Sequence, residues 1–512
     1  MRRFDVRSLP RRFVVGAALL LGGALLVLAS VLVPSDEVRL AEPDGPVNIG
    51  ARDLGDISAH NSPSVARNPR EHRNLVVTSR IDSPDFSCAL HVSRDDGASW
   101  KRTRVPIPPG PGRKCYAPDA AFASDGTLHV SYVTLQGRGN RPSSVWVASS
   151  RDGGRTLSAP RRVAGPLAFQ VRITADPDRT GRLYVSWVQA RDVGTLRFTS
   201  ANPIMVARSD DGGRTWGRPV RASSPARARV LAPSTAVGPG GELYLLYLDV
   251  RDDTLDYEGG HGAEGGPPYS GHFTLVVARS LDGGATWTES VVDDRVVPTR
   301  RFIAFLPPFP SLEVDPGSGK LYVAFEDGRD GDPDVRLWSL AAGASTWSDP
   351  VRVNDTALRD GTAQYLPQLA ITPGGRLDVV YYDRRGDKTA NVFNEVSLQS
   401  SSDGGRTFSA REQLSSATLD SRVGLGTDLG LADLGSRLGL ASDDEGALAV
   451  WTDTRNGNVA SIKQNLYAAT VRAGRSQIAS ALRYSGYALM LAGLLTMLIA
   501  GPLRRRAIRS GP

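Results

Sequence analysis

The chain has 512 residues and a formal net charge of +7, but the surplus sits at its two ends. Residues 1–12 carry five Arg and one Asp, residues 503–512 carry four Arg, and the remainder is close to neutral. Such terminal charge speaks for membrane orientation and excludes a nucleic-acid surface as the reason for the high pI. A nucleotide cofactor is not expected, because the chain has no phosphate loop, no correctly spaced dinucleotide fingerprint and no Gly-x-Ser-x-Gly elbow. The six His residues show no metal-ligand spacing.

In chain order, the basic tail 1–12 leads into an uncharged apolar run, 13–33. A second apolar run, 484–503, precedes the basic tail 504–512. Each has about the twenty residues that a membrane helix requires. Arg at both outer flanks predicts two transmembrane helices with both termini cytoplasmic and the region between them outside the cell membrane. Arg472, Arg475 and Arg483 blunt the charge bias of the second helix. The first helix could instead be a cleaved signal peptide, although its apolar run is long for one and lacks a clear small-x-small site.

Between the helices, residues 45–471 repeat a short pattern, Ser-x-Asp-x-Gly-x-Thr/Ser followed by an aromatic residue or Leu. The five copies begin at Ser93, Ser150, Ser209, Ser280 and Ser401, with a worn copy at Ser339, Gly343 and Trp347. Their period of about sixty residues marks an array of similar supersecondary units. Asp-Gly and Gly-Gly supply the positive φ of tight hairpin turns, and the Asp carboxylate can accept turn amides. These Asp residues are therefore read as structural.

A strand with alternating apolar residues lies upstream of each turn and often ends in Asp-x-Arg. The copies are Asp249/Arg251, Asp327/Arg329, Asp383/Arg385 and Asp453/Arg455, while the third unit has Gln189 before Arg191. A further strand, marked by Pro63, Pro118, Pro233, Pro310 and Pro367, precedes it. Each unit thus reads as four antiparallel strands, A to D, with the Ser/Asp/Gly turn between C and D. Radial repetition of such units predicts an all-β fold, a seven-bladed β-propeller with six blades as the alternative. The seventh unit lacks a turn copy, and residues 45–49 can supply its outer strand, so that both chain ends close the ring.

The turn copies resemble the Asp-box, or BNR, repeat of sialidases and their relatives. This resemblance implies a cleft on the face opposite the turns. It would place Arg191, Arg251, Arg329, Arg385 and Arg455 around one mouth, with Asp249, Asp327, Asp383 and Asp453 beside them. Guanidinium forks suit a carboxylate or sulfated sugar. The competing reading is one Asp–Arg pair repeated from blade to blade as scaffold, because a catalytic residue should occur once. The family's Phe-Arg-Ile-Pro motif is absent, and Phe169 to Thr174 is the nearest string. Tyr365 and Tyr382 fall in cleft-side contexts, and with Asp383 they are the candidates for a nucleophile and an acid/base. Each Tyr also fits as an ordinary strand aromatic.

Residues 252–272 lengthen one loop and are rich in Gly and acids. Asp252, Asp253, Asp256 and Glu258 could hold Ca²⁺, or the loop could simply be solvated. The loop from Glu326 to Asp334, with Asp327, Asp330 and Asp332, is a second acidic candidate. Cys88 and Cys115 fall in adjacent blades and could form a disulfide in an oxidising compartment or remain buried thiols. The expectation is a membrane-held, exported propeller that binds a glycan or a protein at the cell surface. An exo-acting glycoside hydrolase of the sialidase type is the alternative.

Overall fold

The computed structural model describes residues 11–32, 38–53, 55–109, 114–137, 140–190, 202–253, 269–298, 309–424, 434–474 and 477–500. The chain forms two compact units. One is the residues up to Val38 together with those from Ala473 on, and the other is Arg39–Arg472.

The larger unit contains seven antiparallel sheets, so the seven-bladed reading holds and the six-bladed alternative falls away. Strand A of blades 1 to 7 is His60–Arg67, Lys114–Phe122, Ala168–Ala175, Val230–Val237, Ser311–Val314, Gln364–Ile371 and Gly439–Asp443. Consecutive A strands neighbour one another, and the seventh neighbours the first, so these strands form the inner wall of a closed ring. Strand B is buried along its full length in blades 1, 4, 5, 6 and 7, because blades cover both of its faces. Such strands need apolar residues on both sides rather than strict alternation.

The cores lie between blades, not within them. Tyr184, Val188 and Val206 of blade 3 pack with Leu243, Leu245 and Tyr247 of blade 4. The first and last blades share a core in the same way, in which Leu75 and Val77 meet Leu448, Val450, Leu466 and the N-terminal Val47. Each such aliphatic side chain contributes about 1.5–3 kcal/mol by leaving water.

Closure follows the expected route, with one addition. Gly45–Pro46 pairs with Ala468 and Tyr467 on the third strand of blade 7, Asn465–Ala473. A further short strand, Val38–Leu40, pairs with the same strand and was not foreseen. Cys88 on strand C of blade 1 is joined by a disulfide to Cys115 on strand A of blade 2.

The smaller unit is a pair of helices, Arg11–Leu32 and Gln477–Ala500. They run antiparallel, because Gly16 faces Gly493 and Gly23 faces Gly486. A Cβ at Gly23 would lie 2.5 Å from the Gly486 carbonyl oxygen, so glycine is required for this approach. Leu21, Leu25, Leu28, Leu491 and Leu498 point outward and are exposed. Two membrane helices were expected. Among the described residues, Ala481–Leu498 is long and apolar enough to cross a membrane, whereas Phe13–Ala29 is a shorter apolar stretch.

Gly405 and Gly343 separate the two demands of a turn. Both have positive φ, +83° and +74°. A Cβ on Gly405 would lie 2.3 Å from Leu337 Cδ2, whereas one on Gly343 would meet nothing within 4 Å. Gly343→Ala should cost about 1–2 kcal/mol, the left-handed penalty alone. Gly405→Ala should cost about 1–3 kcal/mol more through overpacking. Equal losses in urea unfolding would show that the inter-blade contact is immaterial.

Candidate functional site at the propeller axis

The Ser/Asp/Gly turns are self-contained hydrogen-bond knots. In the fourth blade, the Thr286 hydroxyl donates to Asp282 Oδ2 at 2.6 Å and its amide donates to Oδ1 at 2.9 Å. Ser280 donates to the same carboxylate at 2.8 Å, and its own oxygen accepts from the Gly284 amide. The bonds from Thr286, and then that from Ser280, hold the Asp282 carboxyl well below the usual carboxylate range. The same contacts recur around Asp95, Asp152, Asp211 and Asp403. Each carboxylate is occupied in stabilising its own hairpin.

The Asp-x-Arg ends of strand B are also engaged. Arg329 pairs with Asp327 of its own strand and, at 2.6 Å, with Asp293 of blade 4. Arg385 pairs with Asp383 at 2.6 Å and with Asp355 at 2.7 Å. Arg455 pairs with Asp453 at 2.7 Å, with Asp44 of the N-terminal segment, and donates to Ser416 at 3.0 Å. It also lies 4.1 Å above the Tyr467 ring. Blade 4 departs from this scheme. Arg251 donates to Thr274 and to the Asp294 carbonyl, while Asp249 pairs with Arg227 at 2.9 Å. Burial pushes the Asp327 and Asp453 carboxyls up, and their arginines pull them back. Arg191 lies outside the described residues.

Tyr365, Tyr382 and Asp383 are buried in blade 6. Tyr365 donates to Asn394 Oδ1 at 2.8 Å, and its ring is 5.6 Å from that of Tyr382. Tyr382 donates to the Thr452 carbonyl at 3.0 Å. Burial raises both phenols above their ordinary value. Asp383 accepts from Arg385, Ser397 and Gln364. Of the proposed calcium ligands, Asp252 and Asp253 are described and Asp256 and Glu258 lie outside. Among the described residues no group of three or more His, Cys, Asp or Glu could hold a metal ion.

A different set of residues meets at the axis. Strand A carries a bulge near its start, with positive φ at Ser62, Ala117, Gln170, Ala232, Leu366 and Gly435. The register of strands A and B shifts at this point in blades 1, 2, 3, 4 and 6. Pro63, Pro118, Pro233 and Pro367 directly follow these residues, which explains the repeated Pro. The bulge turns an inner-edge amide toward the previous blade. Ala232 donates to Gln170 Oε1 at 2.7 Å and Leu366 to Glu326 Oε2 at 2.6 Å.

The residue after this Pro is small or polar in five blades (Ser64, Asp119, Ser234, Ser311, Gln368); in the other two, Val171 and Ser436 replace the Pro and the residue that follows is Arg172 or Arg437. Ser64 donates to Asp119 at 2.5 Å, and Asp119 accepts the Ile173 amide at 3.0 Å. Arg172 approaches Asp119 at 3.3 Å. Arg437 is buried and donates to the Pro63 and Pro118 carbonyls at 3.2 and 2.5 Å. Burial, and then the like charge of Arg172, push its guanidinium down to about 9. Arg80 joins from strand B of blade 1, paired with Asp82 and donating to Tyr116 Oη at 2.9 Å. Arg80, Tyr116, Gln170, Phe309 and Arg437 line a cavity of about 10 Å³, room for roughly one water molecule.

Glu313 sits on strand A of blade 5. It keeps some surface on the channel but lies deep in the protein. Burial pushes its carboxyl up to about 8, against the pull of Arg172. Sequence reasoning missed Arg80, Tyr116, Arg437 and Glu313. The available signal was the two units in which the strand-A Pro gives way to Val171 or Ser436 and the next residue changes from small or polar to Arg.

No protein-family model matches the chain, and no curated protein matches it. Among solved structures, a protein of unknown function from Dyadobacter fermentans is 15% identical, with 85% of this chain and 99% of that one covered and a TM-score of 0.46. A Hadza microbial sialidase is also 15% identical, covering 78% and 74%, with a TM-score of 0.43. An ulvan-lyase polysaccharide lyase is 12% identical, covering 88% and 98%, with a TM-score of 0.46. Likeness at this level assigns no function, and the reading below rests on the residues of this chain.

Two outcomes test the site's electrostatics. Arg455→Met leaves the carboxylates of Asp44 and Asp453, whose side chains are fully buried, without their cation. It should destabilise by about 3–5 kcal/mol. Arg422→Met breaks a pair whose Arg side chain is 54% exposed and should cost at most about 1 kcal/mol in the same denaturation assay.

Glu313 gives a pH dependence of defined sign. Below its ordinary value of 4.5 the carboxyl is protonated in both states. From there to about 8 the folded state keeps a proton that the unfolded state has lost. Stability from this group therefore falls as pH rises through that window. Glu313→Gln should melt progressively higher than the parent between pH 5 and pH 8. A constant melting difference across that range would contradict the raised pKa.

Proposed function

We propose that this chain is a membrane-held, extracytoplasmic propeller that binds an anionic group of a glycan or protein ligand at its axial mouth. Arg80 and Arg437 line one small cavity, and Arg172 stands beside it over the Phe309 ring, 5.8 Å from the ring centre; this meeting of three arginines from three blades carries the reading. Asp82 and Asp119 offset two of these charges, and Arg437 reaches backbone carbonyls instead of a carboxylate. The cluster therefore favours an added anion. The cavity admits the oxygen of a carboxylate in place of a water, and the body of the ligand would rest above it. The outward apolar faces of the terminal helices support membrane attachment, with both termini on the cytoplasmic side.

An exo-acting glycoside hydrolase of the sialidase type is the second reading. Glu313 favours it, because a carboxylic acid that keeps its proton near neutrality suits general acid catalysis. Against it, Tyr365 and Tyr382 are buried and already hydrogen-bonded.

The test is a glycan-array binding assay on the full chain in detergent, run beside hydrolysis of a fluorogenic sialoside. Binding of short glycans with a single acidic group that falls at least about tenfold in Arg437→Gln and in Arg172→Gln supports the binding reading. Hydrolysis lost in Glu313→Gln supports the enzyme. Such short glycans held equally well by all three variants would remove the axial mouth from consideration.

A further inference from the structure

We propose that the groove between blades 2 and 3, on the face that carries the Ser/Asp/Gly turns, binds a linear acidic polysaccharide bearing carboxylate or sulfate groups. This site is independent of the axial mouth. It lies at the end of the blades where strand C turns into strand D, and the mouth lies at the opposite end. Its cavity volume, about 700 Å³, falls within the range of ligand sites.

The argument is one of unspent charge. Arg151 of the blade 2 turn, Arg161 at the start of that blade's outer strand Arg161–Ala164, and Arg214 of the blade 3 turn all line the groove and are exposed. Among the described residues Arg151 and Arg161 take part in no ion pair. Arg214 donates its amide to Asp211 Oδ1 at 3.0 Å and its Nε to the Asp211 carbonyl at 2.9 Å, and among the described residues its guanidinium has no carboxylate partner.

The three acids in the groove are all committed. Asp211 accepts from Ser209 at 2.8 Å and from the Thr215 amide at 2.9 Å. Asp210 is held between Arg182 at 2.7 Å and Arg208 at 3.0 Å. Asp125 accepts the Thr127 amide at 2.9 Å. The groove therefore presents three guanidinium forks with open donors; Asp210 is paired with two arginines, and Asp125 and Asp211 keep their charge with oxygens turned to their own loops. Such forks match the paired oxygens of a carboxylate or sulfate.

The remaining lining selects among polyanions. The hydroxyl oxygens of Thr156, Ser158 and Thr180 keep capacity to accept from sugar hydroxyls, while Thr156 and Ser158 already donate to Asp152 and to the Ala159 carbonyl. Among the described residues no Phe, Tyr or Trp lines the groove, so it has no exposed platform on which a nucleobase could stack. His129 lines it too, but its ring is bonded to Ser149 at 2.9 Å, and burial pushes it down to about 4, so it adds no charge at neutral pH.

The experiment measures fluorescence anisotropy of labelled dextran sulfate and labelled alginate with the full chain in detergent. Uncharged dextran and a single-stranded oligonucleotide serve as comparisons. The triple variant Arg151→Gln, Arg161→Gln, Arg214→Gln should weaken both acidic polysaccharides at least about tenfold. The control Lys101→Gln, Arg102→Gln, Arg104→Gln removes the same charge from exposed positions of blade 1 and should change binding less than about twofold. Arg437→Gln should leave this binding intact. Where the triple variant fails to fold, judged by its melting curve, the single reversal Arg161→Glu at the exposed rim replaces it. Equal losses in the triple variant and the control would overturn the proposal, because the attraction would then be general charge. Absence of polysaccharide binding, or an oligonucleotide held as tightly, would overturn it as well.

Discussion

The structure depends on a single constraint: no blade can bury its own faces. A four-stranded sheet with apolar residues on both sides is stable only between two others, so the array must close on itself. The last contact to form is therefore worth as much as any other. Here it is made by the N-terminal segment, which adds Gly45–Pro46 to blade 7 and places Val47 in the core shared by blades 1 and 7. Arg455 completes this closure, because its guanidinium holds together an acid from the N-terminal segment, an acid from its own strand and a hydroxyl from blade 6. The Asp-x-Arg motif is thus a tie between segments. Arg329 and Arg385 make the corresponding ties at Asp293 and Asp355.

Closure creates a second demand. The inner edge of strand A has no further strand to pair with, so its amides need acceptors from elsewhere. Unpaired backbone donors there would be costly. The bulge and the polar position that follows it meet this demand. Gln170 serves Ala232, Glu326 serves Leu366, Asp119 serves Ile173, and Ser311 serves Leu369. A position that must be polar in every blade can change its polar group at little structural cost. Two of the seven blades put Arg there, and the axial cluster follows from that choice.

The sequence made the blades legible because local chemistry dictates them. The Ser/Asp/Gly turns close within eight residues, so their hydrogen bonds can be anticipated from spacing alone. Strand B could be read in all seven units for the same reason, and Cys88 and Cys115 could be placed in adjacent blades. The axial site was not legible, because Arg80, Tyr116, Arg172 and Arg437 are brought together by ring closure across more than 350 residues. Sequence reasoning was drawn to arginines that repeat, and repetition marks scaffold. Arg172 lay inside the one string compared with the Phe-Arg-Ile-Pro motif, yet its partners could not be found without the ring. The helices show the same limit. Their length and charge are local properties, but the register that sets Gly16 against Gly493 and Gly23 against Gly486 exists only once they pair.

The two ends of the propeller divide the work by how they treat carboxylates. On the turn end, every repeated Asp is satisfied by its own hairpin, so nearby arginines such as Arg151 and Arg161 are left without acidic partners. On the opposite end, strand-end acids capture the repeated Arg329, Arg385 and Arg455, whereas the non-repeated Arg172 and Arg437 stand at the axis. In both places the groups available to a ligand are those that the repeat does not use. A scaffold that satisfies its repeated acids internally leaves free the arginines those acids do not hold, and in this chain such arginines stand at both ends.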